Sequence, residues 1–186
     1  KKNLLKKNEV CITFDDGIKS QIDIALPVLS DYKIKAFFFV YTSMFEGNPD
    51  NLEIYRYFRT NYFSSINEFY SNFYETLNEN LEPFFIQNQK EIEKKKSKFQ
   101  MYTVEDIKFR LVRDLYLKKD EYEDIMQKMI KNKKIISSEL YSKLFFRKDD
   151  LKKLDKQGHL IGPHSHFHPT LMENLTIDKQ KYEYEK

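Results

Sequence analysis

The fold is decided by residues 10–41, which read VCITFDDGIKSQIDIALPVLSDYKIKAFFFVY. Residues 10–15 form a short apolar, β-rich run that ends in Asp15-Asp16-Gly17, a pattern typical of a buried strand followed by a turn. Residues 20–32 have apolar side chains at helical spacing, and Pro27 favours a helix that begins or kinks there. The apolar run 36–41 is typical of a parallel strand buried on both faces. This β-α-β order predicts an α/β fold with a parallel sheet.

Residues 42–146 have a different pattern, because they are aromatic, highly charged and spaced as amphipathic helices. Ser65 and Glu68 have the spacing of a capping box. Three apolar stripes predict helices that pack against one another, formed by Ile66, Phe69, Tyr70, Phe73, Tyr74 and Leu77; by Val104, Ile107, Leu111 and Leu115; and by Tyr122, Ile125, Met126, Met129 and Ile130. We therefore expect a helical insertion after the second strand, which could shape a substrate groove, act as a lid or make an oligomer contact.

The α/β pattern returns in residues 147–186. Residues 149–157 predict a short helix that ends at Gly158. Leu160 and Ile161 predict a brief strand that leads into a histidine-rich segment. Residues 179–186 lack apolar periodicity and are expected to form a tail, or to mark the place where a longer protein was cut.

The composition restricts the possible function. Lys plus Arg (32) nearly balance Asp plus Glu (29), and a net charge of +3 gives no electrostatic case for nucleic acid. The single cysteine, Cys11, excludes an internal disulfide and a zinc site made of cysteines, and its apolar neighbours favour a buried thiol. No apolar run is long enough to cross a bilayer, and the first residues lack the apolar core of a signal peptide, which predicts a cytoplasmic protein.

Two groups of residues are of types that could bind a metal ion. His164, His166 and His168 fall within five residues, and two histidines four positions apart can bind one ion; a surface histidine run is the alternative. Asp15 and Asp16 repel each other at a strand end unless a cation compensates their charge; a polar turn with Gly17 is the alternative.

The positions of the two groups support each other. In parallel α/β folds, functional side chains collect at the carboxyl ends of the strands, and both groups follow a predicted strand. One carboxylate and two imidazoles leave an open position on zinc, as catalytic zinc sites do.

The sequence resembles the polysaccharide deacetylase (NodB-like) family. Thr13-Phe14-Asp15-Asp16-Gly17 resembles its first signature, TFDDG, and the segments 26–29 and 34–40 are similar to the helix and strand that follow it. The segment 158–169, GHLIGPHSHFHP, is similar to the second signature, G-H-x-I-G-x-H-[ST]-x-x-H.

This resemblance implies a fold, a reaction and residue roles. The fold would be the N-terminal part of a deformed seven-stranded (β/α) barrel, formed by residues 1–41 and 147–186, with the insertion 42–146 between them. The reaction would be metal-dependent hydrolysis of N-acetyl or related acyl groups on the amino sugars of a glycan or glycoconjugate. The metal would be a divalent ion, with zinc as the leading candidate. Asp15 would be the general base, with Asp16, His164 and His168 as metal ligands. Gly17 would permit the turn, Ser165 would support the loop, and His166 would lie beside the site or at the surface.

Several features that family members have after the second signature are missing from this sequence. The sequence has no later histidine to act as general acid, no arginine after Pro169 and no further strands. We therefore expect the chain to be a truncated barrel with weak or no turnover by itself. The alternative function is a non-catalytic metal-binding or partner-binding protein with a vestigial deacetylase site.

Overall fold

The computed structural model of the protein describes residues 9–169 and 171–186, which form two compact units. Of the described residues, the first unit contains 9–50, 141–169 and 171–186, and the second is Asn51–Leu140. The fold is α/β and mostly helical, with one small parallel sheet. Across the described ranges, every helix is too short or too polar to serve as a membrane span.

The sheet belongs to the first unit and has three strands: β1 (Thr13–Phe14), β2 (Phe37–Val40) and β3 (Leu160–Pro163). Their order is β1-β2-β3, and both pairings are parallel. The predicted β-α-β unit is therefore confirmed. Because parallel strands end at the same edge, the residues after Phe14, Val40 and Pro163 are brought together.

The connection between β1 and β2 changes helix type at its middle. A π-helical turn, Gln21–Ala25, runs directly into α1 (Leu26–Asp31), whose first turn contains Pro27. Proline lacks a backbone N–H, so within an α-helix it is tolerated best in the first turn. The prediction of a start or kink at Pro27 is confirmed in this form.

A short 3-10 turn, Ser43–Glu46, follows β2 and ends at Gly47. The helices of the second unit come next: α2 (Asn51–Asn61), α3 (Ile66–Leu77), α4 (Glu82–Gln87), α5 (Gln89–Lys98), α6 (Val104–Leu111), α7 (Lys119–Asn132) and α8 (Ser137–Leu144), the last of which passes from the second unit into the first. Half of the predicted capping box is present at the start of α3, where the Ser65 hydroxyl accepts a hydrogen bond from the Glu68 amide at 3.2 Å. The Glu68 carboxylate accepts from the amide and hydroxyl of Ser64 instead of the Ser65 amide, so the reciprocal half of the box is not formed.

The core of the second unit is aromatic. Phe69, Phe73 and Phe109 are at most 1% exposed, and their rings are 5.0 to 6.2 Å apart. The predicted stripe through Leu115 is wrong at that residue, which is 62% exposed. The reason is a π-helical turn, Val112–Tyr116, that follows α6 and shifts the helical phase.

Two helices in the first unit follow the second unit in the chain. Helix α9 (Lys148–Lys156) ends before Gly158, which has a φ of 78°, as predicted from the sequence. A 3-10 turn (Met172–Asn174) and α10 (Ile177–Glu185) then follow. The expectation that residues 179–186 form a tail is therefore wrong.

The core of the first unit packs around β2. The side chains of Phe38 and Tyr41 are fully buried, and the Phe14 ring stacks on Phe38 with centroids 5.0 Å apart. Cys11, by contrast, is exposed, so the prediction of a buried thiol is wrong. Strand β1 begins only at Thr13 and is an outer strand of the sheet, so the residues before it are not covered as a central strand would be.

Candidate metal centre

The two signature segments meet at the carboxyl edge of the sheet. Asp16 comes two residues after β1, and His164 comes directly after β3. The backbone ties the histidine segment to the end of β2, since the His164 amide donates to the Val40 carbonyl at 2.9 Å. The amides of Thr42 and Ser43 donate in turn to the carbonyls of Ser165 and His166, at 3.3 and 3.0 Å.

Three side chains converge at this edge: Asp16, His164 and His168. Oδ1 of Asp16 lies 3.3 Å from Nε2 of His164 and 3.1 Å from Nε2 of His168. One ligand atom from each residue lies within 4.8 Å of the other two. The side chains are 20 to 36% exposed, so the cluster remains open to solvent.

The cluster is built on unusual backbone conformations. Asp16, Ser165 and His168 have φ values of 70°, 67° and 56°, in the left-handed region that residues other than glycine rarely occupy. On a regular strand, adjacent side chains point to opposite faces. The left-handed residues interrupt this alternation and redirect the side chains, at a conformational cost that the surrounding contacts must offset.

Gly17 completes the turn after Asp16. It has a φ of 62°, and a Cβ added there would lie 2.6 Å from Cε of Met44 and 3.3 Å from Cγ1 of Val40. Its carbonyl accepts a hydrogen bond from the Phe146 amide at 2.8 Å. Both the backbone conformation and the close approach of Met44 and Val40 therefore favour glycine.

The imidazole of His168 is held in place by a hydrogen bond at Nδ1 and by an aromatic ring stacked on its face. Its Nδ1–H donates to Oδ2 of Asp50 at 2.9 Å. The ring of Tyr41 stacks on it with centroids 5.3 Å apart, and the Tyr41 hydroxyl accepts a hydrogen bond from the Asp50 amide at 2.9 Å. The carboxylates of Asp16 and then Asp50 raise the pKa of His168 to about 10 in the metal-free protein. Tyr41 is buried, which raises the pKa of its hydroxyl.

The histidine segment is also held by two hydrogen-bond acceptors. The hydroxyl of Ser165 accepts from the His168 amide at 3.1 Å. The buried carboxylate of Glu183, on α10, accepts from the amides of His166 and Phe167 at 2.9 and 2.7 Å. One acceptor within the segment, Ser165, and one on α10, Glu183, thus define its path.

The other histidines have different surroundings. His166 is 2% exposed, so it is not a surface residue, and its Nδ1 lies 2.7 Å from the hydroxyl of Thr42. His159 is also buried; its Nδ1 accepts from the Ala36 amide at 3.2 Å and links β2 to the start of β3. Burial, followed by the charge of Lys35, lowers the pKa of His159.

Asp15 lies beside the three-residue cluster in the chain but its carboxylate is not part of it. Its side chain is exposed at the carboxyl end of β1, and its carbonyl accepts from Nε2 of Gln21 at 2.5 Å. An exposed carboxylate is accessible to a substrate or a water molecule.

The donor set and its spacing fit a divalent metal such as zinc. Two ligands that each lie about 2.1 Å from a tetrahedral ion are about 3.4 Å apart, close to the 3.1 and 3.3 Å between Asp16 and the two histidines. A metal-binding imidazole usually donates its other N–H to a carboxylate, as His168 does to Asp50. The residues present therefore fit the metal that the sequence predicted.

Sequence reasoning missed Asp50 and Glu183, which both contact the histidine segment. Asp50 lies in a polar stretch, Asn48-Pro49-Asp50-Asn51, with no motif around it. Glu183 lies in a helix that is rich in glutamate and lysine, so the sequence does not distinguish this buried acidic side chain from its exposed neighbours. The only sequence signal was local: the Thr176 N-cap, whose hydroxyl accepts from the Lys179 amide at 3.4 Å, predicts a helix where we expected a tail.

A comparison with known protein families supports the resemblance seen in the first signature. The family model described as polysaccharide deacetylase matches residues 2–113, which include Asp15 and Asp16 and end before the histidine segment. No curated protein and no solved structure matches the chain. The match covers more than half of the sequence, and the chain belongs to the polysaccharide deacetylase family.

Proposed function

We propose that the protein is a metal-dependent hydrolase that removes N-acetyl or related acyl groups from the amino sugars of a glycan or glycoconjugate. The observation that supports this most directly is the convergence of Asp16, His164 and His168 at one edge of the sheet. Family membership supports the acyl-sugar substrate.

Asp16, His164 and His168 would hold the metal, with zinc as the leading candidate. A divalent metal at such a site lowers the pKa of bound water and polarises the acyl carbonyl. Asp50 keeps His168 in the tautomer that presents Nε2 to the cluster, because its carboxylate accepts the Nδ1 proton. Ser165 fixes the turn that carries His168.

Asp15 is proposed as the general base. Its carboxylate is exposed, directly precedes Asp16 in the chain and is not part of the set that would hold the metal, which leaves it free of that role and able to accept a proton from an attacking water. Its loss should therefore separate hydrolysis from metal binding. A non-catalytic metal protein would show no such separation.

We further propose that the three strands are the first part of a deformed seven-stranded (β/α) barrel and that residues 42–146 are an insertion into it. Strands β1 and β3 are the outer strands of the sheet, and Leu160 and Ile161 of β3 are 54% and 39% exposed. Apolar side chains on an outer strand are usually covered by further structure.

The first experiment compares four forms of the chain: wild type, His168→Ala, Asp15→Asn and Asp155→Asn, the last an exposed aspartate on α9 that serves as control. Metal content is measured by elemental analysis after zinc loading and dialysis, and acetate release is measured with acetylated amino-sugar oligomers. We expect about one metal per chain in every form except His168→Ala.

Acetate release, where the wild type shows it, should fall by at least about a hundredfold in Asp15→Asn. Equal metal content in His168→Ala and wild type would contradict the metal centre. Unchanged acetate release in Asp15→Asn would contradict the role of Asp15 as base, while leaving the metal centre in place.

A further inference from the structure

A second group of charged side chains lies within the helical second unit, where none of the metal ligands is found. A small pocket there, of about 20 Å³, is lined by two residues of α2, Arg56 and Arg59, and by Arg110 of α6 and Arg113 of the π-helical turn after it. Tyr55 and Tyr122 also line it. Four guanidinium groups around one pocket are uncommon, because like charges repel unless anions compensate them.

Two of the four arginines have a carboxylate partner. Arg56 pairs with Glu53, and Arg113 donates to both oxygens of Asp114, at 2.6 and 3.0 Å. Within residues 9–169 and 171–186, neither Arg59 nor Arg110 has a carboxylate within 4.0 Å. Neither of these two charges is therefore paired with a carboxylate at ion-pair distance.

Asp106 lies near enough to Arg59 to interact with it electrostatically, but its oxygens have other donors. Oδ1 accepts from the Tyr70 hydroxyl, and Oδ2 accepts from the amide and hydroxyl of Thr103 at 3.3 and 3.2 Å. These contacts make Asp106 part of the capping box of α6. It therefore does not act as the acceptor for Arg59.

The Nε atoms of Arg59 and Arg110 are buried, and in the described part of the chain they have no hydrogen-bond acceptor. A buried donor without an acceptor costs free energy. Each guanidinium also lies over an aromatic ring, Arg59 over Phe109 at 5.7 Å and Arg110 over Tyr102 at 4.4 Å. Such stacking occupies the flat face of the guanidinium and does not satisfy the N–H groups at its edge.

From these contacts we propose that the pocket binds the phosphate group of a small molecule. The planar fork of arginine matches phosphate oxygens, and acceptors from a ligand would satisfy the buried donors. A volume of about 20 Å³ admits a group the size of one water molecule. One phosphate oxygen therefore enters the pocket, and the rest of the ligand lies at its mouth, beside the exposed Arg56.

The test is calorimetric titration of the full chain with inorganic phosphate and, separately, with methyl phosphate, in chloride buffer. Both are repeated in the metal-free protein and in His168→Ala, so that phosphate bound by a metal ion is not counted. The variant is Arg59→Gln with Arg110→Gln. Its matched control is Lys94→Gln with Lys128→Gln, which removes the same charge from exposed positions of α5 and α7.

We expect one phosphate per wild-type chain. The arginine variant should bind at least about tenfold more weakly, and the lysine control should change by less than about twofold. Tighter binding of methyl phosphate identifies a phosphate ester as the ligand, and binding of inorganic phosphate alone identifies the free ion. No binding by the wild type at millimolar phosphate, or an equal loss in the lysine control, would overturn the proposal.

Loss of the stacked guanidinium groups could unfold the second unit, which circular dichroism would reveal. The variant Arg59→Lys with Arg110→Lys keeps the charges and the apolar stems over Phe109 and Tyr102 but lacks the fork. We expect it to fold and to bind phosphate several-fold more weakly than the wild type. Wild-type affinity in this variant would overturn the proposed recognition by the arginine forks.

Discussion

Asp50 and His168 are 118 positions apart in the chain and form a hydrogen bond of 2.9 Å between Oδ2 and Nδ1. This contact joins the segment that follows β2 to the segment that follows β3. It fixes the orientation of the imidazole whose other nitrogen lies 3.1 Å from Asp16. Asp50 is thus a positioning residue for the proposed metal centre.

Replacing Asp50 with Asn should weaken zinc binding by about 10- to 100-fold, because the imidazole loses a charged partner that orients it and raises its basicity. The measurement is competition with a chromophoric chelator. Asp31→Asn, at an exposed position of α1, is the control and should bind zinc as the wild type does. An unchanged zinc affinity in a folded Asp50→Asn protein would contradict this role.

Glu183→Ala should loosen the histidine segment, because the amides of His166 and Phe167 lose their acceptor. We expect a loss of about 1 to 3 kcal/mol in the free energy of unfolding and faster hydrogen exchange at those two amides. Glu185→Ala, an exposed neighbour on the same helix, is the control. Similar exchange rates in both variants would mean that the segment is held without Glu183.

Gly17→Ala should destabilise the protein more than Gly47→Ala. Both glycines have positive φ values, 62° and 87°, so each substitution places a side chain in the left-handed region at a cost of about 1 to 2 kcal/mol. A Cβ at Gly17 would in addition crowd Met44 and Val40, whereas one at Gly47 would meet no atom within 4 Å. Thermal unfolding of the two variants measures the difference; equal losses would show that Met44 moves aside at little cost.

Asp150 should make the stability of the first unit depend on pH. Burial raises the pKa of this carboxyl, but hydrogen bonds from Lys19, at 2.8 and 2.9 Å, and from the Arg147 amide outweigh burial and bring it below its usual value. A carboxyl with a depressed folded-state pKa contributes stability that is complete well above its unfolded pKa of about 3.9 and is lost as the pH falls through the folded pKa.

Asp150→Asn should therefore lower the unfolding temperature at pH 7, and the difference from wild type should shrink below about pH 4. Asp149→Asn is the matched control, since its side chain is 88% exposed on the same helix. A difference that stays constant down to the acid limit would assign the effect to helix capping or packing rather than to the charge of Asp150.

The parts of the fold that follow from local patterns were predictable. The β-α-β opening, the helix that ends before Gly158 and the helical character of the middle region depend on apolar spacing and on turn residues. The proximity of Asp16 to His164 also followed, because parallel strands end at one edge. Exposed Leu115 was not predictable in this way, since a π-helical turn shifts the phase without a clear sequence signal.

The contacts that hold the site were not predictable from the sequence. The Asp50 carboxylate reaches His168 only because β2 and β3 are adjacent, and nothing in the polar stretch around Asp50 marks it. In the sequence, Glu183 cannot be told apart from the exposed glutamates near it, and only the packing of α10 shows that its side chain is buried. Such partners are set by tertiary structure, which a single sequence does not reveal through its periodicity.

The left-handed backbone at Asp16, Ser165 and His168 has a consequence for the evolution of this chain. Glycine at any of the three positions would relax the backbone and would remove a proposed metal ligand or the hydroxyl that accepts from the amide of one. Stability and metal binding therefore favour opposite substitutions at these positions. A lineage released from the need for the metal would be expected to accumulate glycine here before its core changes.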